Sequence, residues 1–239
     1  MTGYGMIDCV SIATSHNFLD SPIIQQHRLR YREVVQKEQW GHIYTLDGME
    51  FDRFDNLATE YFIARDAKNR VVGVTRTYPT TIPYMLSESF SFLSPELFPS
   101  SIKIMESSRL VLDRDLLDKQ ERQPIINQLT VACMERGMQR KIDAYVGFML
   151  PKIWASTFLR CGWDVEWLGP EIALPFTNEV VRAALMPVNE RTNQKLRDTT
   201  GLHDPVLNFG TGSAHDVPGD TLYSHIAQPD QGRDRKQAA

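Results

Sequence analysis

Glu106 is the residue hardest to explain as packing. It lies in the run Ile102 to Asp113, where alternation puts Ile102, Ile104, Glu106, Ser108, Leu110 and Leu112 on one strand face. A carboxylate on an apolar face is costly unless paired or used, and burial raises its pKa toward the range of a general base. A structural ion pair is the alternative reading. Charge and aromatic character concentrate at three further places: Leu29-Arg30 with Trp40 behind it, the acidic run Asp47-Gly48-Met49-Glu50-Phe51-Asp52-Arg53-Phe54-Asp55, and Arg76 just ahead of Pro79-Thr80-Thr81. Each has a plain alternative. Arg30 reads as an exposed helix charge, Trp40 as a core plug, and Arg76 as half of a structural pair. The acidic run reads as a solvated face or a weak calcium site, although its spacing does not match an EF-hand loop. Together they suit a small zwitterionic cation. An aromatic ring beside carboxylates fits a sulfonium, and an arginine fits a carboxylate.

These residues need a scaffold. Ser21-Pro22 reads as an N-cap with proline at the first helical position, opening a helix to about Gln39 with Ile24, Tyr31, Val34 and Val35 on one side. Gly41 to Ala58 reads as loop. Glu60 to Arg65 and Val71 to Thr77 read as a hairpin around Asp66–Arg70, with Pro79–Pro83 as a breaker. Pro124 is expected to open a second helix bearing Ile125, Ile126, Leu129 and Cys133. Ile142 to Leu150 reads as a buried strand, Pro151 to Cys161 as a helix stopped by Gly162, Asp164 to Leu168 and Glu171 to Phe176 as strands, and Asn178 to about Arg197 as a helix. Strict alternation puts Arg109 opposite Glu106. Either a bulge turns both inward, or Arg109 serves another surface.

At 239 residues with 42% hydrophobic side chains, the chain is long enough for one α/β domain with a mixed sheet, expected over residues 1–208. The Gly- and Pro-punctuated remainder, 209–239, is expected to be a flexible tail. A net charge of -4 without a basic run argues against a nucleic-acid partner. No apolar stretch of about 18 residues appears, so no membrane span is expected. Cys9, Cys133 and Cys161 are odd in number and scattered, and Met1 to Asn17 lacks a signal-peptide pattern. Both features fit a reducing cytoplasm. The histidines do not join the cysteines at zinc spacing, and no metal is expected.

From Leu29 to Trp163 the chain resembles the acyl-homoserine-lactone synthases, the LuxI-type quorum-sensing enzymes. The resemblance rests on Leu29-Arg30, Trp40, the Gly-Met-Glu-x-Asp-x-Phe-Asp run from Gly48 to Asp55, Val72-Gly73-Val74-Thr75-Arg76, Pro79–Leu86 with Phe90, and Glu106-Ser107-Ser108-Arg109, all in order. Val34 departs from the family's phenylalanine. Gly147 and Phe148 stand where a hydroxyl associated with 3-oxo-acyl donors is frequent, which argues against a 3-oxo product.

The resemblance implies an N-acetyltransferase-like fold: one three-layer domain with a V-shaped mixed sheet between helices. It implies acylation of S-adenosylmethionine, which is consumed as a substrate, so no cofactor is expected. The donor would be acyl carrier protein or acyl-coenzyme A. Lactonisation would then release methylthioadenosine. Glu106 would be the base. Arg30, Trp40, Asp52, Asp55, Arg76, Phe90 and Arg109 would form the S-adenosylmethionine site, with Ser108, Leu110, Met134, Phe148, Trp154 and Phe158 lining the acyl site or supporting its strand. The other readings are a different N-acyltransferase on this fold, or a non-catalytic S-adenosylmethionine-binding protein.

Overall fold

The computed structural model of the chain describes residues 5–11, 22–38, 44–175, 177 and 179–208. Ser21, Trp40 and the expected tail from 209 onward lie outside them. The described elements are β1 (Ile7–Ser11), α1 (Pro22–Arg30), β2 (Thr45–Leu46), β3 (Met49–Glu50), β4 (Glu60–Arg65), β5 (Val71–Pro79), α2 (Met85–Ser89) and β6 (Ile104–Leu112). They continue with α3 (Lys119–Arg140), β7 (Ala144–Met149), α4 (Pro151–Trp154), β8 (Glu166–Trp167), β9 (Ile172–Ala173), β10 (Val180–Pro187), α5 (Glu190–Thr200) and β11 (Leu207–Asn208). Nine strands make one mixed sheet in the order β11-β1-β4-β5-β6-β7-β10-β8, with β9 also on β10, while β2 and β3 form a separate hairpin.

Alternation sorts the side chains of β4 between two layers. Phe62 and Ala64 join the core under α3, while Tyr61 and Ile63 pack with Ile23 and Leu29 of α1. Helices therefore cover both faces. The sheet is V-shaped because β6 and β7 pair, in parallel, only at Ile104–Ala144, Met105–Tyr145 and Glu106–Val146. Beyond Glu106, β6 stays with β5 and β7 stays with β10, so a wedge opens between them.

Several expectations are corrected. The single helix expected over 178–197 is β10 followed by α5. The apolar run of β10 is held between β7 and the short β8 and β9, and Asn189 caps α5 by accepting from Thr192 N–H at 2.9 Å. α3 starts ahead of Pro124, at Lys119, because Asp118 and Glu121 form a capping box. The loop expected over 41–58 contains the β2–β3 hairpin, turned by Asp47 and Gly48 at positive φ. The helix opened at Pro22 continues past Arg30 as a π-turn over Tyr31–Lys37.

Candidate active site

Arg109 has φ 55°, in the left-handed region, and the β5–β6 register slips beside it: Val74 faces Val111, but Arg76 faces Ser108. The extra residue on β6 is a bulge. It returns Arg109 to the side that bears Glu106, which decides the question that strict alternation left open.

Arg109 thereby closes a lattice of three arginines and three carboxylates. Arg30 grips Asp55 through two bonds of 2.8 Å and donates from Nε to Glu50. Arg76 grips Asp52 at 2.7 and 2.6 Å, lies 2.7 Å from Asp55 Oδ1, and donates from Nε to Ser108 Oγ at 2.9 Å. Arg109 Nη2 lies 3.0 Å from Glu50 Oε1 and 3.0 Å from Asp52 Oδ2. Tyr61 adds a hydroxyl to Asp55 at 2.8 Å.

The acidic stretch folds into this position because Asp52 accepts Phe54 N–H and Asp55 accepts Asp52 N–H, both at 2.9 Å. Arg30, Arg76 and Glu50 are fully buried, whereas the side chains of Asp52 and Arg109 keep 17% and 10% exposure. The lattice thus has a closed base and an accessible edge. Burial alone would raise its carboxyl pKa values, but the guanidiniums outweigh it. Arg30 and Arg76 hold Asp55 far below the usual carboxylate range, Arg76 and Arg109 hold Asp52 low, and Arg109 and Arg30 hold Glu50 low. The lattice stays ionised and neutral overall.

Glu106 is different. It is fully buried, and among the described residues no arginine bonds it. It accepts from the Tyr78 hydroxyl, from Met85 N–H at 2.7 Å and from Leu86 N–H at 2.9 Å. Burial pushes its carboxyl above the usual range, against the pull of Tyr78 and the two amides. The two centres adjoin, since Met85 also places its sulfur 3.8 Å from Arg109 Nη1.

Phe90 ends α2 and packs on Phe148 with ring centroids 4.3 Å apart. Leu110, Met134, Trp154 and Phe158 share the α3-side core, and Phe148 lies in the other apolar cluster with Tyr78 and Phe54. Gly147 sits where the strands part: a Cβ there would come within 2.9 Å of Ser107 O. Ser108 serves Arg76. Glu50, Tyr61 and Tyr78 also belong to the site, beyond the residues that the sequence marks. Glu50 stood inside the quoted acidic run, and period-two alternation from Arg76 leads to Tyr78. A second acidic cluster, Glu33, Asp113 and Asp115, is already matched by Arg32, Lys37 and Arg114.

The family model described as autoinducer synthase matches residues 14–196. The chain belongs to that family. It is 31% identical over 207 residues to the isovaleryl-homoserine lactone synthase of Bradyrhizobium diazoefficiens, covering 86% of this chain and 90% of that protein. It is 35% identical over 105 residues to the acyl-homoserine-lactone synthase of Vibrio anguillarum, covering 42% of this chain and 54% of that one. The structure of a coenzyme A-dependent acyl-homoserine lactone synthase, with S-adenosylmethionine and isopentyl-CoA, superposes with a TM-score of 0.75 at 29% identity, covering 89% of this chain and 98% of that one. The chain is an acyl-homoserine-lactone synthase, its product class is that of quorum-sensing signals, and the lattice and Glu106 both fall within the matched span. No described helix is long and apolar enough to cross a membrane.

Proposed function

We propose that the chain acylates the amine of S-adenosylmethionine from an acyl-coenzyme A thioester and then closes the homoserine lactone. The observation that carries this reading is the neutral arginine–carboxylate lattice, whose accessible edge, Asp52 and Arg109, adjoins the buried Glu106. Asp52 faces the sulfonium and ammonium charges of the substrate, and Arg109 faces its carboxylate.

Glu106 takes the amine proton through a water. The freed amine attacks the thioester carbonyl in the wedge between β6 and β7, and backbone N–H groups of β7 beyond Val146 steady the oxyanion. The C–S bond breaks and the thiol leaves. The substrate carboxylate then displaces methylthioadenosine from its own chain. Holding both ends in one site favours this ring closure. The coenzyme A donor is supported by the relatives, one named for an isovaleryl product and one solved with isopentyl-CoA.

The test is methylthioadenosine release by purified protein with S-adenosylmethionine and matched panels of acyl-coenzyme A and acyl-carrier-protein thioesters, with lactone mass read alongside. Release with branched short-chain acyl-coenzyme A supports the reading. Release only with the carrier-protein series overturns the donor, and acyl transfer without methylthioadenosine overturns lactone formation.

A further inference from the structure

The two oxygens of Glu106 are not equivalent. Among the described residues, Oε2 accepts from the Tyr78 hydroxyl and from Met85 N–H, while Oε1 accepts from Leu86 N–H alone. A carboxylate offers about four lone-pair sites, two on each oxygen. Oε2 is full, and the open site is on Oε1.

We propose that Oε1 of Glu106 is the atom that takes the amine proton, and that Tyr78 is the positioning residue that fixes this choice. The proposal rests on the reading of Glu106 as the base.

The geometry around Tyr78 suits the role. It lies directly opposite Glu106 in the β5–β6 register and is fully buried. Its ring stacks on Phe54 at 5.8 Å with a 4° interplanar angle, so the phenol oxygen cannot swing away. Phe54 N–H in turn donates to Asp52, which ties the stack to the lattice. Burial and the charge of Glu106 push the phenol well above its ordinary pKa, so it stays protonated and donates.

The other groups facing Glu106 are committed elsewhere. Arg76 on β5 holds Asp52, the Tyr84 hydroxyl ahead of α2 donates to Pro99 O at 2.7 Å, Ser108 on β6 accepts from Arg76, and Arg109 holds Glu50 and Asp52. From β7 the neighbour is Val146, which does not titrate. Oε1, with one donor against two, is the more basic oxygen.

The experiment is Tyr78→Phe in the full chain, which keeps the ring and its stack and deletes the hydroxyl. Methylthioadenosine release gives kcat and KM for S-adenosylmethionine across pH, with thermal unfolding as the folding control. The expected kcat falls roughly tenfold, the scale of one hydrogen bond to a charged group, with KM little changed. On the acid limb, the proton concentration that halves kcat falls by roughly tenfold, because the ionised base has lost a donor.

Site-specific 3-fluorotyrosine at position 78, a stronger donor, moves that limb the opposite way. It decides the matter if Tyr78→Phe does not fold. An acid limb unmoved in the folded variants, or a loss confined to KM, overturns the proposal. Full turnover by Glu106→Gln would instead overturn the reading beneath it, so the two failures are distinguishable.

Discussion

Arg109 reaches Glu50 across 59 residues of chain, Nη2 to Oε1 at 3.0 Å, only because its backbone takes a left-handed conformation. A non-glycine residue there costs about 1–3 kcal/mol, and the surrounding ion pairs offset it. In a regular strand the guanidinium would project to the opposite face, and both Asp52 and Glu50 would lose a partner. Placement of this side chain is thus bought with backbone strain.

Arg109→Ala should therefore impair function more than folding. Glu50 keeps Arg30 and Asp52 keeps Arg76, so neither carboxylate is left bare. Losing the proposed contact to the substrate carboxylate should cost about 3 kcal/mol, roughly a hundredfold in kcat/KM for S-adenosylmethionine. Steady-state methylthioadenosine release checks it. A change within twofold would remove Arg109 from the substrate edge.

Arg76→Ala should do the reverse and damage folding first. Arg76 is fully buried and holds both Asp52 and Asp55. Removing one partner of a buried ion network costs about 3–5 kcal/mol. Urea unfolding followed by far-ultraviolet circular dichroism measures this. A loss below about 1 kcal/mol would mean that water already screens the lattice.

The contrast between these two arginines also marks what the sequence displays. Alternation along β6 was legible as far as Ser108 and correctly put Glu106 on an inward face, but Leu110 and Leu112, expected on that same face, pack on the α3 side instead because the bulge at Arg109 inverts the alternation beyond it. Arg109 was not decided, since a bulge leaves no local composition signal at a non-glycine residue. β10 reads as helix in the sequence because its run of Val, Ala, Leu and Met fits either period, and only pairing with β7 makes it a strand. β1 and β11 gave no signal at all: they pair in parallel from the two ends of the described chain, a contact that no local window contains. Glu50 stood in plain view but reads as one more acid of a polar stretch until Arg30 and Arg109 converge on it. α2, five residues long after a proline-rich breaker, is too short to show a period, yet it supplies the two amides on Glu106.

His27 should make the protein acid-sensitive well above carboxylate pH. It is fully buried beside Arg30, its Nδ1 lies 2.8 Å from Glu50 O, and burial, helped by Arg30, lowers its pKa to about 4. Between the unfolded value near 6.5 and about 4, the unfolded chain binds a proton that the folded chain refuses. Stability is therefore full above about 6.5 and declines as pH falls through that window, by about 3 kcal/mol in total. Glu50, Asp52 and Asp55 are depressed and lose their contributions only below about 4. Glu106, raised by burial, works in the opposite sense and gains stability on protonation. His27→Asn keeps an N–H for Glu50 O and removes the titration. Unfolding free energies of both proteins from pH 7 to 4 should converge at the acid end. Parallel curves would show that His27 does not titrate the fold.

Trp154 should set the far limit of the acyl chain. Its indole is fully buried, donates Nε1–H to Arg182 O at 2.9 Å, and meets Phe158 and Trp167 with centroids 5.4 and 5.8 Å apart. Leu110 and Met134 belong to the same apolar cluster, on the α3 side of the sheet where β6 and β7 diverge. A side chain held by two aromatic neighbours and by its N–H cannot move aside for a longer acyl tail. Trp154→Leu removes the aromatic wall while keeping the site apolar, at a folding cost of about 2–4 kcal/mol, so turnover is best measured near 15 °C. With an equimolar mixture of short- and long-chain acyl-coenzyme A thioesters, the lactone profile by mass spectrometry should shift toward longer chains by at least a few carbons. Wild-type proportions from a folded variant would place the acyl tail elsewhere, with Phe148 and Phe90 in the second apolar cluster as its next candidate lining.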